Sequence, residues 1–262
     1  MIGITGYKGV LGTIMVAKLK ERNQEFVNFE GDIRDFDSFY DWISTNNIDC
    51  LIHLASKVAV NEVANNLDQA YEINVGGTIN LIKAIKKLNK PIYVFYASSS
   101  HVYASSSDLI KESDALLPLN SYGKTKYISE MLLTDFGQSH PLLTLSIGRI
   151  FSFYDRSQKP PFLYATLLKR FEDEDLSQPF QLYGANSTRD FLPANEVVEL
   201  ILKLVAIKAD GIVNIASGKP IKIIDFVKNI APVELEFKIN EDEKETHLNA
   251  DISHLNRLLE HK

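Results

Sequence analysis

The chain has little of what disulfide-bonded, membrane-spanning or nucleic-acid-coating proteins require. Its 262 residues include one cysteine, Cys50, so an intrachain disulfide is excluded. That cysteine sits in the apolar run Asp49-Cys50-Leu51-Ile52-His53-Leu54, which predicts a buried thiol and suits a reducing, cytoplasmic setting. No stretch approaches the roughly 18 consecutive apolar residues of a membrane-spanning helix. The opening Met1-Ile2-Gly3-Ile4-Thr5-Gly6 reads as a short strand turning at glycine, without the basic stretch and long apolar segment of a secretory signal. Basic blocks are missing too. With a formal net charge of -6, broad binding to nucleic-acid phosphates is excluded, while a local cationic site for a small diphosphate is not. There is no internal repeat and no low-complexity tract.

What is present is an ordinary globular composition, 45% hydrophobic and 24% charged, on a chain long enough to bury a full core. Strand-like and helix-like segments alternate from the start. Strands are predicted over 2–5, 26–29, 50–54, 92–97 and 143–150, with helices over 10–21, 36–45, 67–88 and 122–136 between them. Nearly unbroken apolar strands separated by helices predict an α/β fold, a doubly wound parallel sheet of Rossmann type covered on both faces. After residue 150 the rhythm weakens through Pro160-Pro161 and the acidic run Glu172-Asp173-Glu174-Asp175. A helix over 195–207 and a strand over 211–215 return to the sheet. The expected division is therefore a Rossmann domain of 1–150, completed by about 191–216, and a small substrate lobe of 151–190 and 217–262.

Three groups of residues carry chemistry. Gly6, Gly9 and Gly12 form a G-x-x-G-x-x-G turn between the first strand and the first helix. Glycine lets the backbone approach a pyrophosphate there, and the helix start favours its negative charge. In Gly31-Asp32-Ile33, Asp32 reads either as an acceptor for an adenine amino group or as the N-cap of the helix starting near Phe36. Tyr122 and Lys126 stand four apart near a helix start, hence on one face, where the ammonium would favour the phenolate and bring its proton transfer toward neutral pH. Upstream, Tyr96-Ala97-Ser98-Ser99-Ser100-His101-Val102-Tyr103 ends an apolar strand, at the edge where open parallel sheets bind ligands.

With these motifs in one order, the sequence resembles the extended short-chain dehydrogenase/reductase family, also called the NAD-dependent epimerase/dehydratase family. The resemblance includes Ile52-His53-Leu54-Ala55, Asn74-Val75-Gly76-Gly77-Thr78, Arg189-Asp190-Phe191 and Asn214-Ile215-Ala216-Ser217-Gly218 as well. It implies NAD or NADP as cofactor and a nucleotide-diphosphate sugar as substrate. Tyr122 would be the acid/base, Lys126 would orient the nicotinamide ribose and tune Tyr122, and Ser99 would bind the substrate oxygen. Ser99 is chosen because the family's Ser or Thr stands three positions before the valine of the V-Y pair, here Val102. Gly6, Gly9 and Gly12 would hold the pyrophosphate and Asp32 and Ile33 the adenine, with Val10, Leu11, Leu54, Ala55 and Asn74 also at the cofactor. Ser100 would border the substrate and Arg189 would bind its diphosphate, unless Arg189 serves only as an ion-pair partner of Asp190. A homodimer through the helices after Asn74 and Tyr122 is implied by the same analogy.

Departures from the family narrow the reaction. Sugar 4,6-dehydratases follow the Ser/Thr with Asp and Glu, whereas Ser100 and His101 stand here, so dehydration is not expected. His101 occupies the place of a proton-moving cysteine in GDP-fucose synthases, which leaves it either a proton shuttle or a shaper of the sugar pocket. Compactness after the second strand resembles dTDP-4-dehydrorhamnose reductases, while the C-terminal half resembles epimerases. The expected activity is hydride transfer at a sugar carbon, C4 keto reduction first, epimerisation with bound NAD second and a non-catalytic NAD(P) sensor third. Neither Asn28 nor Glu30 decides between NAD and NADP, and Lys8 or Arg34 are candidates for a 2'-phosphate.

Overall fold

The computed structural model describes residues 1–240, 242 and 244–260. Along the chain, β1 (Ile2–Thr5), α1 (Val10–Glu21), β2 (Phe26–Asn28), α2 (Phe36–Thr45) and β3 (Cys50–His53) alternate as the apolar pattern predicts. Then come α3 (Val60–Asn65), α4 (Leu67–Tyr71), a π-turn (Glu72–Gly76), α5 (Gly77–Leu88), β4 (Ile92–Ser99) and a 3₁₀ turn (Ser100–Val102). The helix α6 (Ser121–Ser139) leads to β5 (Leu143–Ile150). A lobe intervenes with β6 (Ser152–Tyr154), α7 (Leu163–Asp173), β7 (Phe180–Leu182) and β8 (Thr188–Pro193). The helix α8 (Ala194–Ala206) and strand β9 (Gly211–Ile215) follow, then β10 (Pro220–Lys222), α9 (Ile223–Ile230), β11 (Phe237–Ile239), β12 (His247–Leu248) and α10 (Ser253–Glu260).

Six strands form one parallel sheet in the order β2-β1-β3-β4-β5-β9. Side chains of β4 alternate between its two faces. Tyr93 and Phe95 pack with Ile4, Met15, Val197, Ile201 and Val213 on one side. Val94 and Tyr96 pack with Phe39, Ile43, Leu81, Ile85 and Leu133 on the other. Strand order reverses between β1 and β3, so a crevice opens at the carboxyl ends of the strands there.

The single helix expected over 67–88 is instead α4, the π-turn and α5. The π-turn frees the Asn74 carbonyl from a regular ladder, and it accepts from the hydroxyls of Thr78 at 2.7 Å and Ser129 at 3.0 Å. Apolar periodicity does not register one extra residue per turn, so the sequence reads straight through it.

The lobe has its own core of Leu167, Phe180, Leu182, Ile223, Phe226 and Val227. Its strands include β8, which pairs with β6, β10 and β12 and begins at Thr188 within the polar stretch from Gly184 to Arg189, where the apolar pattern predicts no strand. One boundary differs from expectation. Residues 217–262 do not all belong to the lobe: Leu255 of α10 is buried with Val213 and Ile201 in the core of the main sheet. An amphipathic helix is placed by whichever apolar face it meets, and α10 meets the sheet.

A buried ion pair fastens α6 to this framework. Arg149 of β5 donates through Nη2 to Glu130 Oε2 at 2.7 Å and through Nε at 3.1 Å, with both side chains nearly inaccessible. Its Nη1 reaches the Tyr103 hydroxyl at 2.9 Å and the Glu112 carbonyl at 3.0 Å. The Ser98 hydroxyl donates to the same Glu130 carboxylate, and Tyr103 donates to Asn214 Oδ1 at 2.6 Å. Removing one member leaves a buried charge without its partner. Arg149→Met is therefore expected to lower unfolding free energy by about 3–5 kcal/mol, and the double variant Glu130→Leu/Arg149→Met to lower it less. Urea unfolding followed by circular dichroism measures both, and a double variant worse than the single one would contradict the assignment.

Candidate active site

The crevice is built from the glycine turn upward. Gly6 has a positive φ of 71°, and a Cβ there would lie 2.6 Å from the Leu54 carbonyl carbon and the Ala55 nitrogen. At Gly12 a Cβ would lie 2.4 Å from the Gly6 oxygen and 2.5 Å from Tyr7 Cα. The turn therefore folds tightly back over α1 only with hydrogen at these two positions. Gly9 is the N-cap of α1 and brings no side-chain cap, and the first turn carries no acidic residue. The positive end of the α1 dipole is thus left to an external anion.

A cleft of about 800 Å³ runs from this turn to the lobe. It is bordered by Gly6, Gly9, Val10, Leu11 and Gly12 of the glycine turn and by Ser99, Ser100, His101, Tyr122 and Lys126 of the β4 and α6 ends. Arg189, Phe191 and Tyr164 of the lobe border it too, as does Leu54. The glycine turn, the β4 carboxyl end, the start of α6 and the lobe strand β8, far apart in sequence, all border one cavity. The main-chain cradle that a Cβ would fill, the uncapped helix start and the adjoining cavity together fit a dinucleotide.

Helix α6 starts where it does because the Asn120 side chain accepts from the Gly123 amide at 2.9 Å. The close approach of Gly123 to the β4 end is tight, since a Cβ would lie 2.1 Å from the His101 oxygen. Tyr122 is thereby packed against Ser99 and the His101 ring, whose centroid is 5.8 Å from its own. Burial pushes the Tyr122 phenol up to about 12, and the nearby Ser99 hydroxyl pulls it the other way. Lys126 extends toward the sheet, donating to the Ala97 carbonyl at 2.7 Å with its ammonium 4.8 Å from the Tyr96 ring. Burial pushes it down to about 7, against the pull of Glu130. The ammonium is thus held by the Ala97 carbonyl and the Tyr96 ring, and burial rather than Lys126 sets the direction of the Tyr122 shift. Sharing a helix face does not fix where a long side chain ends, and this one is drawn to a buried carbonyl.

Other expected residues fall differently. Asn74 turns its side chain away from the cleft: its Oδ1 accepts from Ser56 at 2.9 Å and Lys57 at 2.8 Å, and its Nδ2 donates to Lys57 and Thr125. It ties the segment after β3 to α6. Ala55 lies beneath Gly6, and Ile33 is buried against Gly77, where a Cβ would meet it at 2.8 Å. Asp32 is not the cap of α2; Asp35 is, accepting from the Ser38 amide. The Asp32 carboxylate is instead held by the Arg34 guanidinium at 2.6 Å and kept below the usual carboxylate range by it. Of the two candidate 2'-phosphate cations, Arg34 is shared between Asp32 and Glu72, and Lys8 lies 3.6 Å from Glu30.

Arg189 does not pair with Asp190. Adjacent residues of a strand point to opposite sides. Asp190 accepts from Ser217 and from the Gly218 amide, while Arg189 donates to the Thr188 and Thr246 carbonyls and the Thr246 hydroxyl. Tyr164 and Asn120 escaped the sequence reading, and Phe191 entered it only as part of the Arg189-Asp190-Phe191 motif. Only Asn120 left a signal, as an N-cap residue two before Tyr122.

Fold and site together define an extended short-chain dehydrogenase/reductase. The chain belongs to the family whose model is described as GDP-mannose 4,6 dehydratase, which matches residues 4–258. It is 29% identical over 255 residues to a putative UDP-glucose 4-epimerase of Methanocaldococcus jannaschii, covering 87% of this chain and 82% of that protein. It is 28% identical over 248 residues to the GDP-6-deoxy-D-mannose reductase of Pseudomonas aeruginosa, covering 89% and 81%. The solved structure of RMD from Pseudomonas aeruginosa, complexed with NADPH, superposes with a TM-score of 0.87 at 23% identity, covering all of this chain and 92% of that one. Among the described residues no helix is long and apolar enough to cross a membrane, and no cluster of His, Cys, Asp and Glu suits a metal.

The depressed Lys126 value has a measurable consequence without any ligand. Its folded value, about 7, lies below the ordinary lysine value of 10.5, so between the two the unfolded chain binds more protons and stability rises with pH. The burial penalty is fully present below pH 7 and is relieved as pH climbs toward 10.5. Lys126→Met removes this contribution. The gain in unfolding free energy between pH 6 and pH 9 is expected to be smaller in that variant than in the parent, by urea titration at the two pH values; an equal gain would contradict a low folded value.

Proposed function

We propose that the chain is an NAD(P)-dependent oxidoreductase of nucleotide-linked sugars that reduces a keto group, C4 being the expected carbon, with Tyr122 as the acid. The observation that carries this reading is the meeting of Ser99, Tyr122 and Lys126 in one cleft with the glycine turn and Arg189. Gly6, Gly9, Val10, Leu11 and Gly12 would hold the cofactor pyrophosphate, with Lys126 beside the ribose. Bound there, the dinucleotide supplies or accepts a hydride at its nicotinamide ring. Arg189, already braced by Thr246, offers the positive charge that a substrate diphosphate needs.

Ser99 steadies the sugar oxygen, and the Tyr122 hydroxyl delivers its proton to that oxygen as the carbon is reduced. A phenol pushed up to about 12 is protonated throughout the neutral range, the state that ketone reduction requires. The Asp-Glu pair that eliminates water in the dehydratases is replaced by Ser100 and His101, so family membership does not carry dehydration with it. Epimerisation is the second reading, supported by the named epimerase relative. It uses the same groups but returns the hydride to the sugar.

Purified enzyme, reduced nicotinamide and a panel of nucleotide-linked 4-keto sugars, followed at the reduced-nicotinamide band, separate the two. One reduced cofactor consumed per sugar is the expected result; turnover without consumption, with NAD retained by the protein, would replace reduction by epimerisation. Tyr122→Phe is expected to lower kcat/KM by about 10²–10⁴-fold in either case.

A homodimer through α5 and α6 is part of the proposal. Ile79 on α5 and Met131 on α6 are exposed apolar side chains, 38% and 48% accessible, on the two helices that would pair. Light scattering is expected to give twice the chain mass, and the double variant Ile79→Glu/Met131→Glu to give the single-chain mass.

A further inference from the structure

His101 closes the cleft between the acid/base and the cation, and its hydrogen bonding fixes more than its position. Asn120 uses its Oδ1 to accept from the Gly123 amide at 2.9 Å, and a backbone N–H can only donate. The other end of that amide is therefore Nδ2, and it faces His101 Nδ1 at 2.6 Å. An NH₂ group only donates, so Nδ1 must be the acceptor and carries no proton. In a neutral imidazole the proton is then on Nε2. Among the described residues no acceptor meets Nε2.

The charge state follows from the surroundings. Burial and the nearby Arg189 guanidinium push the imidazole down to about 4, against the Asn120 hydrogen bond that raises it. The groups about it are Tyr122 and Asn120 of the α6 region and Arg189 of β8, none of them an anion at neutral pH. A ring that is neutral and locked in one tautomer makes a poor proton carrier, because relaying a proton requires Nδ1 or Nε2 to change state against both Asn120 and Arg189. It makes a good fixed donor.

We propose that His101 is a specificity-determining residue, a tautomer-locked neutral donor whose Nε2–H reads an oxygen of the sugar next to the reacting one. This rests on the nucleotide-sugar reading of the cleft. The α6 N-cap thus has two outputs from one side chain: it starts the helix that carries Tyr122 and Lys126, and it sets which atom of His101 bears the proton. A sugar with an oxygen at the adjoining carbon is accepted, and one lacking it leaves a buried N–H unpaired.

Two measurements test it. In NAD-loaded protein with ¹⁵N-labelled histidine, long-range ¹⁵N–¹H correlation from pH 5.5 to 8 is expected to show His101 neutral, protonated on Nε2. Asn120→Asp keeps an N-cap acceptor but presents a carboxylate to Nδ1, and is expected to move the proton there or charge the ring. A parent ring that is charged or protonated on Nδ1 near pH 7 would overturn the lock. Calorimetry with UDP-glucose, GDP-mannose and dTDP-glucose, each against its bare nucleoside diphosphate, reads the sugar contact. His101→Ala is expected to weaken the sugar nucleotide that binds by about tenfold with little effect on the diphosphate, and His101→Gln, which keeps an N–H near Nε2, to restore most of it. Equal affinity in the alanine variant, or no rescue by glutamine, would overturn the donor role while leaving the cleft's assignment standing. Parent protein that binds none of the three sugars would overturn the nucleotide-sugar reading, and the sugar contact with it.

Discussion

The buried ion pair of Glu130 with Arg149 is what the site hangs from. Arg149 belongs to a central strand of the sheet and Glu130 to α6, and the pair is completed by Ser98, Tyr103 and the Glu112 carbonyl. Charges taken so far from water hold only while each has its partner, so the register of α6 on the sheet is fixed to within a hydrogen bond. Lys126 lies one turn before Glu130, and Tyr122 one turn before that. Anchoring one end of the helix in the sheet and the other on the Asn120 cap places both side chains at the carboxyl end of β4, beside Ser99.

Within that frame burial does the electrostatic work. The same loss of water that raises the Tyr122 phenol lowers the Lys126 ammonium and the His101 imidazole, moving all three toward their neutral forms. Arg189, although its value is also lowered by burial, stays a cation and borders the cleft from the lobe. The cavity therefore combines an acid that holds its proton, a neutral donor and the fixed positive charge of Arg189, flanked by the uncapped start of α1. This suits an uncharged sugar carried on a diphosphate.

Much of the sheet was legible in the sequence because its strands are short apolar runs, buried on both faces and separated by helices with clear starts. The helices over 10–21 and 36–45 and the strands over 143–150 and 211–215 have the boundaries that the pattern predicts. The π-turn at Asn74 was not legible, nor was β8 within a polar stretch, because neither changes the apolar period. In the site, Ser99, Tyr122, Lys126 and the three glycines meet as their motifs imply. Asn74 and Asp32 do not border the cleft: Asn74 is held by Ser56, Lys57 and Thr125, and Asp32 by the Arg34 guanidinium.

By itself the sequence determined the layer order, the glycine turn and the kinds of side chain that border the cleft, since each depends on local pattern or on residue type. Only the tertiary structure decided what state those groups are in. The direction taken by Lys126, the height of the Tyr122 phenol, the proton position on His101 and the release of Arg189 from Asp190 all depend on which atoms lie across the cleft. Hydrogen bonding and desolvation act through space, between residues that the chain itself separates by tens of positions.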